Sequence, residues 1–425
     1  MKSSSKKSTK LSITAKLSLL ASVVLLAAIG ITIYSAQSQQ EVRSRANGKS
    51  HKPVCLGPVS VGHTRCNAIV VVDQNGQPIV QTSPAGYGPA QFLGAYNLPK
   101  TVSTPTTIAI VDAFDHPNIL SDLNTYSSAF GVPTMNSCPV SGGTPASPCF
   151  QKVDQRGGTA YPVTDSNWAL EIALDVEVAH AICQNCNILL VEADNNYSYD
   201  TVMAAIDTAR LMGARVISNS YGGGEFSGET SFDFHFNYTG IAFLFASGDN
   251  GYGTFLYPAA SQYVTAVGGT TLYLNPDNSI NSEIAWGGSG SGCSLYEGQP
   301  SWQTALRLLG CSNRIIADVS ADADANTAAA VYNTVDYYGK TGWFQVGGTS
   351  LSTPIISAIY ALKGVPAGSR ANSLPYLNSP STNLRDITFG ANGFCAKGKK
   401  SYLCNAVPGY DGPTGLGAPK GTGAF

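Results

Sequence analysis

The stretch NWALEIALDVEVAHAICQNCNILLVEA, residues 167–193, joins a helical pattern to a strand pattern through a short connection. Its first sixteen residues are mostly apolar, and its last seven, NILLVEA, form an almost continuous apolar run. A helix followed closely by a buried strand is typical of a parallel sheet covered by helices. This stretch therefore predicts an α/β fold.

The same alternation runs along most of the chain. Strand-like runs and helical patterns follow one another at 107–114, 118–130, 167–182, 187–193, 198–212, 214–220, 240–247 and 263–269. The strand-like runs are apolar throughout and end in Gly, Asn, Ser or Asp, which predicts a mostly parallel sheet with helices on both faces and functional residues at the carboxyl ends of its strands. Neither an internal repeat nor a linker divides residues 86–425, so we expect one domain there.

Composition narrows the class of protein. The 425 residues are 43% hydrophobic and only 12% charged, which is enough for a large core and too little charge for a disordered chain. The net charge is -2, and no basic stripe is present. We therefore expect no nucleic-acid partner.

The N-terminus has the pattern of an export signal. Five lysines precede an uncharged apolar run at 17–34, which is about long enough to cross a bilayer. Residues 1–36 are thus predicted to be either a cleaved signal peptide or an uncleaved anchor, and both place the rest of the chain outside the cytosol. Residues 37–85 are interpreted as a short N-terminal extension, possibly a reduced propeptide, with a strand-like run at 68–73.

The cysteines agree with export. An even number in short local loops indicates disulfides formed outside the cytosol. The pair in CQNC could instead be a redox or metal pair, but no second CxxC and no nearby His completes a zinc set, so a structural bridge is favoured. The ten cysteines form five pairs of sequence neighbours: Cys55/Cys66, Cys138/Cys149, Cys183/Cys186, Cys293/Cys311 and Cys395/Cys404.

A candidate nucleophile lies in GGTSLSTP, residues 347–354. Ser350 follows a glycine-rich turn and precedes an apolar helical pattern at 351–362, in which Pro354 is expected in the first turn. At a helix N-terminus its backbone N–H can face a developing oxyanion. An ordinary helix cap is the alternative, and Ser352 two residues later excludes the nucleophile elbow of α/β-hydrolases.

A serine nucleophile needs a base, which is usually histidine. None of the five histidines has a catalytic-looking context. Glu171 and Asp175, four residues apart on the predicted helix, project from one face between leucines, so a carboxylate base is possible; a solvated surface pair is the alternative. Asp249 in FASGDNG ends a strand-like run at the edge of the sheet where Ser350 is expected, although it could be a plain turn residue.

GGTSLSTP, EIALD and ASGDNG, taken together, resemble the sedolisin family of serine-carboxyl peptidases, which share the subtilisin fold. The resemblance runs from about Tyr87 to the C-terminus. It implies that Ser350 is the nucleophile and Glu171 the general base, that Asp175 holds and polarises Glu171, and that Asp249 donates a hydrogen bond to the oxyanion. Because the glutamate must be ionised while Asp249 is protonated, the resemblance also implies peptide hydrolysis in acid.

Two further segments resemble the family. SNSYGG (218–223) resembles the segment that pairs with extended substrate, which implies substrate contacts by Ser220, Tyr221 and Gly222, with Tyr221 standing where sedolisins often carry tryptophan. The segment RDITFGANGF...AVPGYDGPTGLGAP resembles the calcium loop. It implies one structural Ca²⁺ bound by two carboxylates and three backbone carbonyls. These ligands would come from Asp386, Asp411, Ile387, Val407 and Gly409; a plain Gly/Asp turn cluster is the alternative.

The sequence thus predicts a secreted, monomeric endopeptidase acting on proteins or peptides. Two alternatives stay open. One is a catalytically silent exported binding protein with the same fold. The other is a neutral-pH subtilisin-type hydrolase that uses Asp112 in TIAIVDAFD, although no histidine motif follows this segment. In the preferred interpretation Asp112 is an auxiliary acid near Glu171 or a strand-end cap.

Overall fold

The computed structural model describes residues 48–57, 60–139, 148–378, 380–395 and 401–425. Contacts join Lys49–Phe425 into a single unit. The predicted signal or anchor at 1–36 lies outside the described residues. Within the described ranges no helix has the length and apolar character needed to cross a membrane.

Strands and helices occur throughout the described chain. The strands are β1 (His51–Pro53), β2 (Arg65–Cys66), β3 (Ile69–Val71), β4 (Thr107–Ala113), β5 (Asn136–Ser137), β6 (Cys149–Asp154), β7 (Asn187–Ala193), β8 (Val216–Asn219), β9 (Tyr221–Gly224), β10 (Ala242–Ala246), β11 (Leu256–Tyr257), β12 (Thr265–Leu274), β13 (Ile280–Ala285), β14 (Gly292–Gly298), β15 (Asn313–Ile316), β16 (Val319–Asp322), β17 (Ala329–Asn333), β18 (Gly342–Gly347), β19 (Leu384–Arg385) and β20 (Ala418–Pro419). The α-helices are α1 (Pro89–Tyr96), α2 (Ile119–Phe130), α3 (Ser166–Ile182), α4 (Tyr199–Leu211), α5 (Ser301–Thr304), α6 (Thr349–Lys363), α7 (Leu374–Leu377) and α8 (Pro380–Asn383).

The central sheet has the strand order β13-β12-β10-β8-β4-β7-β6-β5, and β16 also pairs with β12. Every pairing in it is parallel except that of β12 with β13. Helices α3 and α6 pack against each other and on the sheet, and α4 packs on β4 and β7. All residues of β4 after Thr107 are buried, as expected of a strand covered on both faces. The predicted α/β architecture is therefore confirmed.

The predicted elements agree closely with the observed ones. Each of the five central strand-like runs contains a strand, and the three predicted helices correspond to α2, α3 and α4. Helix α6 begins two residues earlier than predicted, so Pro354 lies in its second turn rather than its first. Because proline has no N–H, the carbonyl of Ser350 lacks its usual helical donor. The hydroxyl of Ser220 lies 3.5 Å from that carbonyl instead.

The described part of the N-terminal extension adds strands to two smaller sheets. Strand β3 pairs with β1 and β18 in a four-stranded sheet of order β1-β3-β18-β17, and β2 pairs with β9 in a three-stranded sheet of order β11-β9-β2. The extension is thus built into the fold beside the start of α6.

All five predicted disulfides are present, each between sequence neighbours. The pair in CQNC, Cys183 and Cys186, is bonded to itself immediately after α3. Both cysteines are fully buried, which favours the predicted structural bridge over a redox pair.

Candidate active site

Helix α3 brings two carboxyl groups into the protein interior. Asp165 caps its N-terminus by accepting hydrogen bonds from the backbone N–H groups of Asn167 and Trp168, at 3.0 and 3.1 Å. The helix is buried on all sides from Trp168 onward, so Glu171 and Asp175 have no exposed surface. The pair is therefore not a solvated surface feature, because the helix packs against other elements on every side and exposes no face to solvent.

The buried pair is electrostatically coupled to its surroundings. Burial raises the pKa of Glu171 well above its ordinary value, and the charges of Asp175, Asp112 and Asp249 add to the rise, while the nearby hydroxyl of Ser350 opposes it. The pKa of Asp175 is raised well above its ordinary value by burial and by Asp112. These couplings place acids from α3, β4 and the loop after β10 around one buried space.

Asp112 completes this group of acids. It is the second-last residue of β4, has no exposed surface, and its carboxylate bonds no donor among the described residues. Burial raises the pKa of Asp112 to about 8. Since a strand-end cap would bond a backbone N–H, the arrangement favours the auxiliary acid near Glu171.

Ser350 is the second residue of α6 and is fully buried. The turn before it depends on Gly348, whose φ of 95° is rarely adopted by residues with a side chain. The Ser350 hydroxyl donates to the carbonyl oxygen of Ser220 at 3.1 Å. In this conformation the hydroxyl lies near Glu171 without bonding to it, because neither oxygen of that carboxylate has a hydrogen-bond partner among the described residues.

Asp249 follows β10 and reaches the residue next to the nucleophile. Its Oδ1 atom accepts hydrogen bonds from the backbone N–H and the hydroxyl of Thr349, both at 2.8 Å, while Oδ2 is buried without a partner among the described residues. Burial raises the pKa of Asp249 to about 7; the Thr349 hydrogen bonds and the charge of Arg65 act in the opposite direction. Below about neutral pH, Oδ2 can thus carry a proton to donate.

The sequence did not single out Thr349. The only signal for it was a second hydroxyl residue beside Ser350 in GGTS. Its role follows from the approach of the Asp249 loop, which sequence spacing alone does not reveal.

The predicted substrate segment borders the same space. The carbonyl of Ser220 accepts from Ser350, and Gly222 lies in strand β9. Tyr221 is buried, and its hydroxyl donates to the side chain of Asn219 at 3.1 Å. The Tyr221 ring contacts those of Trp168 and Phe245. Its side chain therefore packs in the core behind β9, and the backbone of this segment is what faces the cleft.

The predicted calcium ligands come together at the C-terminal loops. Asp411 is buried, and its Oδ2 accepts from the N–H of Val407 at 3.0 Å, while Asp386 accepts from the N–H of Gly409 at 2.9 Å. Burial and the charge of Asp386 both contribute to a rise in the pKa of Asp411 to about 8. In the described part of the chain no cluster of three or more His, Cys, Asp or Glu suited to a metal occurs, so any metal here depends on two carboxylates and on carbonyl oxygens.

With this geometry, the chain can be compared with known proteins. Residues 158–371, about half of the chain, match the model of the subtilase family, and the chain belongs to that family.

Among its relatives are serine-carboxyl peptidases. The chain is 28% identical over 375 residues to sedolisin from Pseudomonas sp. (strain 101) and 29% identical over 378 residues to kumamolisin from Bacillus sp. (strain MN-32). These alignments cover 78% and 80% of this chain but 60% and 63% of the relatives, so the chain spans about three-fifths of their length.

A solved structure shows the same similarity. Pseudomonas sedolisin, a serine-carboxyl proteinase complexed with two molecules of pseudo-iodotyrostatin, superposes with a TM-score of 0.61 at 26% identity. The match covers 80% of this chain and 96% of that one. The resemblance to sedolisins and the subtilisin-like fold are thereby confirmed.

Proposed function

We propose that this protein is a serine-carboxyl endopeptidase that hydrolyses peptide bonds in acid. The observation that supports it most is the convergence of Ser350 with Glu171, Asp175 and Asp249 in one buried space, as the electrostatic couplings among them indicate.

Nucleophilic attack needs only a small movement of Ser350. Its hydroxyl turns from the Ser220 carbonyl to the neighbouring carboxylate of Glu171, which takes the proton as the bond to the substrate carbonyl forms. The same glutamic acid then protonates the leaving amine. Water then attacks the acyl-enzyme ester, with Glu171 again accepting the proton, and the serine hydroxyl is regenerated.

The oxyanion is stabilised by two donors. The backbone N–H of Ser350 lies at the positive end of α6, and the buried Oδ2 of Asp249 provides an O–H when protonated. The hydrogen bonds from Thr349 hold the other carboxyl oxygen and leave Oδ2 free for this task.

Activity at acidic pH is expected because several carboxyl groups lie close together. Asp112, Glu171 and Asp175 raise one another's cost of ionisation, so the three are expected to share protons and to carry one negative charge between them. Activity then requires this charge on Glu171 together with a proton on Asp249, whose pKa of about 7 sets the upper pH limit.

A subtilisin-type triad receives less support. Among the described residues no histidine bonds Ser350 or Asp112. His116 lies 3.0 Å from the side chain of Asn333, and His180 contacts the carbonyl of Pro133 at 2.7 Å. Asp112 therefore has no imidazole to orient, which leaves the carboxylate base as the supported alternative.

One structural calcium ion is also proposed. The carboxylates of Asp386 and Asp411 are close enough to repel, and the carbonyl oxygens of Ile387, Val407 and Gly409 accept no hydrogen bond from the described residues. Such a set of oxygens suits a hard cation. Calcium would neutralise the two carboxylates and hold the loops that carry them together.

The proposal also covers where the enzyme acts and on which substrates. Five disulfides support export, and the proposed substrates are proteins or peptides cleaved by a monomer outside the cytosol. No feature of the charge distribution favours a nucleic acid.

The function is tested by a pH profile with matched serine variants. Hydrolysis of an acid-denatured protein is expected to be greatest at about pH 3–5 and to vanish in Ser350→Ala. Ser352→Ala is the control, because among the described residues that hydroxyl bonds only the carbonyl of Thr349. A maximum above neutrality, or retained activity in Ser350→Ala, would refute the proposal; failure of a peptide-aldehyde probe to bind the wild type would favour the silent binding protein.

A further inference from the structure

A second group of acidic side chains lies at the end of β9, and the mechanism above does not use it. Glu225 directly follows β9, and Glu297 is the second-last residue of β14. Glu229 and Asp233 belong to a short 3₁₀ helix at 229–235. Glu229 and Glu297 have no exposed surface, and Asp233 is only 6% exposed. Three of the four carboxyl groups are therefore removed from water.

Glu225 joins the end of β9 to β14. Its Oε1 atom accepts from the hydroxyl of Ser294, and its Oε2 atom accepts from the backbone N–H of Leu295 at 3.0 Å. The carboxyl of Glu229 lies within hydrogen-bond reach of Glu225. Oε2 of Glu229 accepts from the N–H of Phe226 at 2.7 Å, whereas its Oε1 is buried without a donor among the described residues. A proton on Glu229 can thus be shared with Glu225.

Asp233 and Glu297 form a second pair of the same kind. Oδ1 of Asp233 accepts from the hydroxyls of Tyr257 and Ser261, at 3.2 and 2.6 Å. The carboxyl of Glu297 lies within hydrogen-bond reach of Asp233, and neither of its oxygens has a donor in the described part of the chain. A buried carboxylate without donors is costly, whereas a carboxylic acid can donate to a neighbouring carboxylate. One proton between its two carboxyls therefore satisfies each pair.

The arrangement favours protons over a metal ion. No three His, Cys, Asp or Glu side chains of the described residues meet as a metal site requires. Burial raises the pKa of Glu229 to about 9 and that of Glu297 to about 8, and the partner carboxyl of each adds to the rise. Both glutamates therefore keep their protons in acid and lose them above neutral pH.

The elements packed against the two pairs bring few other charges. Tyr199 of α4 and Tyr257 of β11 stay neutral, because burial and the nearby acids raise the pKa of both phenols. Arg314 of β15 opposes the rise in the pKa of Glu297, but its guanidinium is already held in a buried ion pair. His235 ends the 3₁₀ helix and pairs instead with Asp207 of α4, at 2.7 Å.

We propose that the pairs Glu225–Glu229 and Asp233–Glu297 form a proton-dependent latch, which fastens β14 and the 3₁₀ helix to the end of β9 in acid and releases them above neutral pH. Strand β14 pairs only with β15 among the described strands, so its link to β9 runs through Glu225. Without the two protons, each pair loses its shared hydrogen bond and its carboxylates repel each other.

The direction of the switch follows from the two glutamates. In an opened form they have the ordinary pKa of about 4, so the opened form releases their protons at lower pH than the closed form does. The closed form is thus favoured most in acid and loses its advantage as pH rises toward about 8 and 9. Because the backbone of β9 faces the cleft, opening would also disturb substrate binding; this last step rests on the proposed peptidase function, whereas the latch itself does not.

The test is amide hydrogen exchange of the full chain in the Ser350→Ala background, corrected for the intrinsic effect of pH on exchange. Peptides from 224–235 and 292–298 are expected to lose protection at least about 10-fold between about pH 5 and about pH 8.5, while residues 355–363 of α6 lose less. Equal protection at both pH values, or an equal loss in all three segments, would overturn the latch.

Two variants test the shared protons. Glu229→Gln and Glu297→Gln keep a donor toward the partner carboxylate at every pH, so each should retain at least about 3-fold more protection in its own segment than the parent at about pH 8.5. Glu177→Gln is the control, because Glu177 is also fully buried with a raised pKa but lies on α3. An unchanged loss in both latch variants, or the same recovery in Glu177→Gln, would contradict the proposal.

The outcomes separate the latch from the peptidase function. Exchange is measured without catalysis, so a pH-dependent opening of these segments in a protein that never hydrolyses peptides would leave the latch standing. An active peptidase whose segments keep their protection at about pH 8.5 would overturn the latch alone.

Discussion

Thr349 donates two hydrogen bonds to the same oxygen of Asp249, one from its backbone and one from its hydroxyl, both at 2.8 Å. The hydroxyl also accepts from the N–H of Gly248 at 3.1 Å, so it ties the acid loop to the residue beside the nucleophile. Because these bonds favour the ionised carboxyl, they lower the pKa of Asp249 against the larger effect of burial.

We expect Thr349→Val to move the alkaline limb of the pH profile to higher pH. Loss of the hydroxyl removes one bond to the carboxylate, so Asp249 should keep its proton longer and the limb should shift upward from about 7 by about half to one pH unit. The measurement is kcat/KM for a peptide against pH. Thr353→Val is the control, because that hydroxyl bonds the carbonyl of Thr349 and not the acid. A downward shift would contradict the assigned role of Asp249.

Replacement of the proposed base should remove most of the activity. Glu171→Gln keeps the shape of the side chain but cannot accept the serine proton, so kcat/KM should fall by about 100-fold or more. Glu177→Gln is a matched control on the same helix, since Glu177 is also buried and accepts from the N–H of Tyr332 at 2.9 Å. Retained activity in Glu171→Gln would point to another base.

The sequence predicted the fold because its central strands are apolar without interruption and its helices have clear bounds. It also predicted that Glu171 and Asp175 share a helix face, since their spacing fixes this locally. The roles of these residues stay predictions until the variants are measured.

Contacts between residues that are far apart in the sequence could not be predicted from local patterns. The backbone N–H of Ser350 donates to the carbonyl of Asn67 at 3.0 Å. Asn67 gives no local signal of this contact, because the position of its segment is set by the edges of β9 and β18, which the chain forms about 150 and 280 residues later. The early start of α6 was missed for a related reason. The turn at Gly348 is fixed by the carbonyl of Asn67 and by Asp249 rather than by a helix signal in GGTS.

Calcium removal is expected to lower the melting temperature. If Asp386 and Asp411 bind the ion in the folded state only, a chelator should lower Tm by several degrees relative to added calcium. Asp386→Asn should lose this difference. Asp336→Asn should keep it, because the Asp336 carboxylate lies on the surface and accepts only from the N–H of Gly339 among the described residues. Measurements in a Ser350→Ala background avoid self-digestion. Equal Tm values with chelator and calcium in the parent would argue against the site.

The buried acid Asp112 should make the fold less stable as pH rises. Its pKa is about 8 in the folded chain, against an ordinary value of about 4. Between these values the folded protein keeps a proton that the unfolded chain has lost, so the free energy of unfolding falls with increasing pH.

Asp112→Asn removes this titration while preserving shape. Thermal or denaturant unfolding in the Ser350→Ala background should show little change at about pH 4 and a gain of about 1 kcal/mol or more at about pH 7. Asp277→Asn is the control of opposite sign, because hydrogen bonds from Ser279 lower the pKa of that exposed carboxyl, and its loss should bring no gain at neutral pH. A neutral-pH loss of stability in Asp112→Asn would mean that the ionised carboxylate is stabilised by its neighbours, and the shared-proton account of the acid group would then be wrong.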